Sequence, residues 1–237
     1  MKYRNFLLFL CLSFAFGAKA QDRVAELQAA GIRALYAGQD SEALRLFTAV
    51  IQENPSYQMA FYNRGIVYYR TRDWSKSIQD FSSVLALDSS FVEAWYYIAE
   101  NHLGKSEPSL AIDAFTKVLS LAPTHTKALQ GIGTAFYYQR KYAQAIEAFK
   151  SYLSIQSKDI AAIYKLGLCY YYNGDYEMAI KTFTQALQIN DTYHLALEMR
   201  ANSYKMNAEL DKACSDWKRA SELGNSSSAK DLTTYCQ

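Results

Sequence analysis

Proline is scarce in this chain, with 3 residues in 237, and glycine stops at 10. Those shortages exclude a collagen-like fibre and a Pro/Gly-rich low-complexity polypeptide. Histidine is rarer than metal chemistry wants: His102, His125 and His194 stand far apart, at no ligand spacing, so neither a metal site nor any other cofactor is expected. Charge of one sign is missing too. The formal net charge is +2, but Lys2, Arg4 and Lys19 lie in a segment expected to be removed. Without them 22 basic residues (25 − 3) face 23 acidic ones, a balance of −1. A near-neutral chain has no long-range field to gather nucleic acid or anionic lipid. Past residue 20 no stretch is long and apolar enough to span a membrane. What the chain does hold is 50% hydrophobic residues, which excludes disorder, and an unusual 20 tyrosines.

Lys2 and Arg4 form a short basic start, and the stretch from Phe6 to Phe16 is apolar apart from Ser13. Ala18-Lys19-Ala20 then places small residues at −3 and −1 of a cut before Gln21. That order predicts a cleavable secretory signal over residues 1–20, too short for a membrane span. The short leader looks bacterial, so the mature protein is expected to be periplasmic or extracellular. Cys11 does not read as a lipidation site, because Phe9 and Leu10 precede it where small residues would be required.

A period of 34 residues runs through the rest. Phe47, Phe81, Phe115, Phe149, Phe183 and Trp217 follow one another at that interval. Four places earlier stand Ala43, Ser77, Ala111, Ala145, Ala179 and Ala213. A third column, Gly31, Gly65, Ala99, Gly133, Gly167 and Ala201, is all Gly or Ala. Fixed-period self-similarity is the signature of a repeat array. Each unit reads as two amphipathic helices, for example 161–172 and 176–188, with Asn173-Gly174-Asp175 as the turn between them. Gly174 suits a left-handed cap, and Asp175 and Asp73 suit N-caps of the helices that follow. Pro108 falls in a first helical turn, where its missing N–H costs little.

These columns resemble the tetratricopeptide repeat, most clearly in Ile163-x-x-Leu166-Gly167-x-x-Tyr170 followed by Ala179 and Phe183. The family's closing Pro survives at Pro55 and Pro123, and its opening Trp at Trp95. The resemblance implies an all-α, right-handed solenoid of six helix pairs over residues 21–237. Its repeats are expected at 24–57, 58–91, 92–125, 126–159, 160–193 and 194–227. A capping helix is expected over 226–235, N-capped by Ser226 or Ser227. Only residues 21–23 precede the first repeat, leaving room there for a partner or a second copy of the chain. Three cysteines follow the leader. Cys214 and Cys236, on the last repeat helix and at the end of the cap, form a reasonable disulfide pair in an oxidising compartment, with two unpaired thiols as the alternative. The stretch around Cys214 resembles the C-terminal unit of secreted Bacteroidota repeat proteins. Cys169 reads as an inert buried thiol.

In this family the first helix of each repeat lines an inner wall. Carrying over its inward positions places Tyr62, Asn63, Tyr69 and Arg70 there from the second repeat, and Glu93, Tyr96, Tyr97 and Glu100 from the third. The fourth adds Lys127, Gln130, Thr134, Tyr137 and Tyr138. Tyr164, Lys165, Tyr171 and Tyr172 follow from the fifth, and Glu198, Asn202 and Lys205 from the sixth. Tyrosine offers rigid contact area with a hydroxyl for hydrogen bonding, so the wall reads as a groove for a partner peptide or helix. About a third of these rings are expected to pack between helices instead. Mixed charge on the wall argues against nucleic acid. The basic clamp by which some members grip acidic chaperone tails is matched by Lys127 alone. The expectation is therefore a non-enzymatic protein-interaction scaffold of the bacterial envelope. The alternative is a glycan, peptidoglycan or small-ligand binder using the same groove. No catalytic constellation is expected, since Glu93 and Glu100 are the only wall acids near one another.

Overall fold

The computed structural model describes residues 21–236, so the expected leader over residues 1–20 lies outside them. Among the described residues every regular element is an α-helix. Residues 21–36 form α1. After it come α2 (Asp40–Glu53), α3 (Gln58–Arg70), α4 (Trp74–Leu87) and α5 (Val92–Gly104). Next are α6 (Pro108–Leu121), α7 (Thr126–Tyr138), α8 (Tyr142–Ile155) and α9 (Ile160–Asn173). The chain ends with α10 (Tyr176–Ile189), α11 (His194–Met206), α12 (Leu210–Glu222) and α13 (Ser226–Tyr235). This is an all-α helical-repeat fold of the solenoid class. It divides into two compact units, one ending at Glu107 and one beginning at Pro108. Within each unit, helices adjacent in sequence are adjacent in space.

The 34-residue columns are the core. Phe47, Phe81, Phe115, Phe149, Phe183 and Trp217 are all fully buried, as are Ala43, Ser77, Ala111, Ala145, Ala179 and Ala213. Burying each such aromatic ring contributes about 2–3 kcal/mol, and the small column lets the ring approach the backbone. A Cβ added at Gly167 would lie 2.5 Å from Phe183 Cε1, so this position requires glycine.

A left-handed residue sits in every turn between a first and a second helix: Gly38, Arg72, Ser106, Arg140, Gly174 and Ala208, with φ between 59 and 87°. Only Gly174 among them was singled out in the sequence, because four of the six lack the glycine that normally signals such a turn. The caps are met unevenly. Asp73 accepts from the Lys76 N–H at 3.3 Å, His125 Nδ1 from the Ala128 N–H at 3.1 Å, and Asp159 from the Ala162 N–H at 3.1 Å. Asp175 makes no such bond; its carboxylate instead accepts from the Asn173 amide at 2.8 Å. The helix α13 is N-capped by Asn225, whose Oδ1 accepts from the Ser228 N–H at 2.9 Å, and not by Ser226 or Ser227.

Two repeats hold a forked ion pair. Arg64 on α3 donates from Nε and NH2 to Asp80 on α4, both at 2.8 Å, and from NH1 to Thr48 Oγ1 on α2 at 3.0 Å. Arg200 on α11 repeats the pattern with Asp216 on α12, at 2.7 and 2.8 Å, and with Thr184 on α10 at 3.0 Å. At the far end Cys214 and Cys236 are joined, with Cα atoms 5.7 Å apart. Tyr235 stacks on Trp217 beside them, ring centroids 5.7 Å apart. Cys169 is a fully buried free thiol, pushed up to about 12 by burial.

Candidate functional site

The first helices of the repeats carry the expected wall residues, and each unit presents its own set. In the first unit α1, α3 and α5 supply them. Tyr97 stacks flat on buried Phe81, centroids 5.0 Å apart, with Tyr62, Tyr69 and Tyr96 edge-on around it at 5.2 to 6.1 Å. The Tyr69 hydroxyl donates to Glu100 Oε2 at 3.4 Å. Burial lifts the Tyr62 and Tyr69 hydroxyls to about 12, and it raises Tyr96 and Tyr97 as well. These groups therefore stay protonated at neutral pH and can both donate and accept.

Two expectations on this wall change. Arg70 is no free groove cation: its guanidinium is held by the Leu35 carbonyl at 3.0 Å and by the Asp40 carboxylate, tying α3 to α1 and α2. Asn63 is buried, at 7% exposure, instead of standing clear of the wall. Both border a cavity of about 700 Å³. Its other half comes from α1, through Gln28, Ile32, Leu35 and Tyr36. Sequence reasoning missed these four. The inward positions carried over to later repeats would have found them in the first.

In the second unit the wall comes from α7 and α9. A cavity of about 260 Å³ is lined by Thr134, Tyr137, Tyr138, Tyr164, Lys165 and Tyr193, among others. Lys165 Nζ donates to Thr134 Oγ1 at 3.3 Å. Tyr164 leans on Phe183 and Tyr193, at 5.8 and 5.3 Å, and burial raises its hydroxyl. Beside this cavity, Tyr142 and Tyr172 stack with centroids 5.5 Å apart. Tyr137 stands edge-on to Tyr142, and Tyr171 edge-on to Tyr172. Burial lifts the Tyr137 hydroxyl to about 12. Tyr138 and Tyr172 remain 65% and 50% exposed, with Arg140 alongside, around a second space of about 380 Å³. Lys127 is exposed and Gln130 half-buried.

The sixth repeat departs from expectation. Glu198 accepts from the Asn225 amide at 2.7 Å, Asn202 from the Trp217 indole at 3.2 Å, and Lys205 sits 3.6 Å over the Tyr235 ring. All three are engaged by the last repeat helix, the cap and their junction. Among the described residues no group of three or more His, Cys, Asp or Glu could hold a metal, and no helix is long and apolar enough to cross a membrane.

Comparison with solved structures shows the same fold. MamA matches with 23% identity and a TM-score of 0.69, over 73% of this chain and 94% of its own. YrrB, a TPR protein with an unusual peptide-binding site, matches with 18% identity and a TM-score of 0.72, over 79% and 97%. The C-terminal part of a TPR repeat-containing protein from Cytophaga hutchinsonii matches with 18% identity and a TM-score of 0.73, over 81% and 77%. No curated protein matches the sequence. Tetratricopeptide repeat profiles match residues 29–90, 62–126 and 160–193, together more than half the chain. With the buried columns and the helix pairs agreeing, the chain belongs to the tetratricopeptide repeat family.

Proposed function

We propose that this protein is an exported, non-enzymatic interaction scaffold of the bacterial cell envelope, binding a partner peptide or helix on its tyrosine-rich walls. Tetratricopeptide repeat proteins are in general scaffolds and not enzymes. The observation that carries the reading is the pair of walls themselves. Nine tyrosines (Tyr62, Tyr69, Tyr96, Tyr97, Tyr137, Tyr138, Tyr164, Tyr171, Tyr172) stand on the first helices. Several are braced ring against ring, so that little side-chain entropy is lost on contact. Export rests on the leader over residues 1–20 and agrees with a disulfide at the cap. Self-association through the first repeat is a further route to a partner.

The test is co-purification from the native envelope fraction, using the wild type and a variant with Tyr96, Tyr137 and Tyr171 changed to Ala. A specific protein retained by the wild type and lost by the folded variant is the expected result. Identical proteins with both would remove the walls as the site. A second reading, a glycan or small ligand, is favoured by one feature: the exposed rings of Tyr138 and Tyr172 beside Arg140 could stack on sugar faces. A muropeptide or oligosaccharide that raises the melting point of the wild type but not of that variant would select it.

A further inference from the structure

Four basic residues are half-buried among the described residues: Arg64, Lys165, Arg200 and Lys205. Three of them have an electron-rich partner. Arg64 and Arg200 are forked onto Asp80 and Asp216, and Lys205 sits over the Tyr235 ring. Lys165, on α9, has only the Thr134 hydroxyl, at 3.3 Å, and no carboxylate within ion-pairing reach. The neighbouring Cys169 thiol brings no charge, since burial pushes it up to about 12. Glu198, the acid whose charge reaches Tyr164, is engaged by the Asn225 amide at 2.7 Å. An ammonium drawn partly out of water against so weak a partner is costly to the fold alone, and an anion from outside offsets that cost.

Lys165 lines the 260 Å³ cavity of the second unit, and the rest of the lining identifies the anion. Helix α7 brings Tyr137 and Tyr138, edge-on with centroids 6.0 Å apart. Tyr164 on α9 and Tyr193, just before α11, stand 5.3 Å apart. Rings so placed suit a flat aromatic molecule, face or edge. The volume suits a small one: drug-sized ligands fill roughly 300–1,000 Å³, so this cavity admits a single substituted ring. The free polar groups are donors. Lys165 Nζ keeps protons beyond the one given to Thr134, whereas the Thr134 proton goes to the Gln130 carbonyl at 3.0 Å. The Tyr137, Tyr164 and Tyr193 hydroxyls make no hydrogen bond to any described residue, and burial keeps them protonated. A sugar would press its many hydroxyls against Phe149 and Leu168 and lose their water. An aromatic acid brings one anionic group for Lys165 and buries the rest against rings.

We propose that the cavity between α7 and α9 binds a small, planar aromatic carboxylate, its carboxylate taken by Lys165 Nζ and a tyrosine hydroxyl and its ring held among Tyr137, Tyr164 and Tyr193. Tyr138, in the same lining, is 65% exposed, so the cavity opens to solvent. The inference goes beyond the scaffold reading and does not depend on it, because the ligand is a free acid and no partner protein is required.

The experiment is isothermal titration calorimetry of the whole mature protein with benzoate, 4-hydroxybenzoate and cinnamate, each at millimolar concentration. At least one should bind, and its carboxamide should bind about tenfold more weakly. Lys165→Gln should weaken the acid about tenfold and leave the carboxamide nearly unchanged, which isolates the charge. That variant breaks no ion pair and should melt at the wild-type temperature. Ala161→Phe, at an exposed position in the lining, fills the space and should abolish binding without disturbing the core. Lys181→Gln, the same charge change on the exposed side of α10, leaves binding unchanged. The proposal falls, with the scaffold reading intact, if none of the acids binds, if acid and carboxamide bind alike, or if Lys165→Gln binds as the wild type does. Glucuronate binding in preference to every aromatic acid would overturn it in favour of a sugar ligand. A peptide ending in a free phenylalanine that binds where the acids do not would overturn it in favour of a protein partner.

Discussion

One joint recurs through the array, where the first helix of a repeat meets its own second helix and the second helix before it. In the second and sixth repeats it is filled by a guanidinium forked onto a carboxylate, Arg64 with Asp80 and Arg200 with Asp216, each steadied by a threonine hydroxyl. In the fourth the corresponding residues are Ile132 and Ala148, and in the fifth Leu166 and Thr182; Ile132, Leu166 and Thr182 are buried. The same backbone geometry is thus met by two chemistries. The comparison teaches that the ion pair is not what builds the joint, since aliphatic packing does the same work nearby. Its two halves depend on one another: Asp80 is 3% exposed, and burial raises its carboxyl against the opposing pull of Arg64.

The sharpest break of this comparison is to remove one partner. Arg64→Ile leaves a buried carboxylate without a counter-charge and should cost about 3–5 kcal/mol, read as a lowered urea midpoint. Next in size is the pH response of that variant. Without Arg64, the Asp80 carboxyl rises further above its unfolded value. A group raised in the folded state adds stability below its unfolded pKa and loses it as the pH climbs through the folded one. The Arg64→Ile deficit should therefore shrink as the pH falls from about 7 to about 4. A deficit that stays constant across that range would mean that the carboxylate is already solvated in the variant. The smallest effect sharpens the comparison directly. The double variant Arg64→Ile, Asp80→Ala copies the fourth repeat and should lie within about 1 kcal/mol of the wild type, on either side. A loss as large as that of the single variant would show that the second repeat needs its ion pair.

The parts of the fold legible in the sequence were those fixed by sterics at a single column. A ring that fills the space between helices must recur at Phe47, Phe81 and onward, and a small residue must face it, so the period announced the architecture. The forked pairs were less visible, because Arg64 and Asp80 stand 16 residues apart in sequence and each column holds apolar residues in other repeats. The turn at Ala208 carried no sign at all: its left-handed backbone is imposed by the helices on either side. At the walls, Tyr62 and Tyr164 were placed on the correct helices, but exposure depends on neighbours that only folding supplies. For that reason Arg70, Asn63 and Lys205 were assigned a freedom that their contacts remove. Gln28 escaped notice because the inward positions were carried over only from the second repeat onward, although the same register places it on the wall in the first.

The closure at the C-terminal end has an optical consequence. Trp217 lies in the cluster against which Cys214 and Cys236 pack, whereas Trp74 and Trp95 belong to the first unit. An excited indole passes an electron to a nearby disulfide and returns to its ground state without emitting. In the oxidised protein, indole emission excited selectively should therefore come mainly from Trp74 and Trp95 in the first unit. Reducing the bridge should brighten Trp217, so a single intrinsic signal distinguishes the two halves of the array and reports the redox state of the end that closes it.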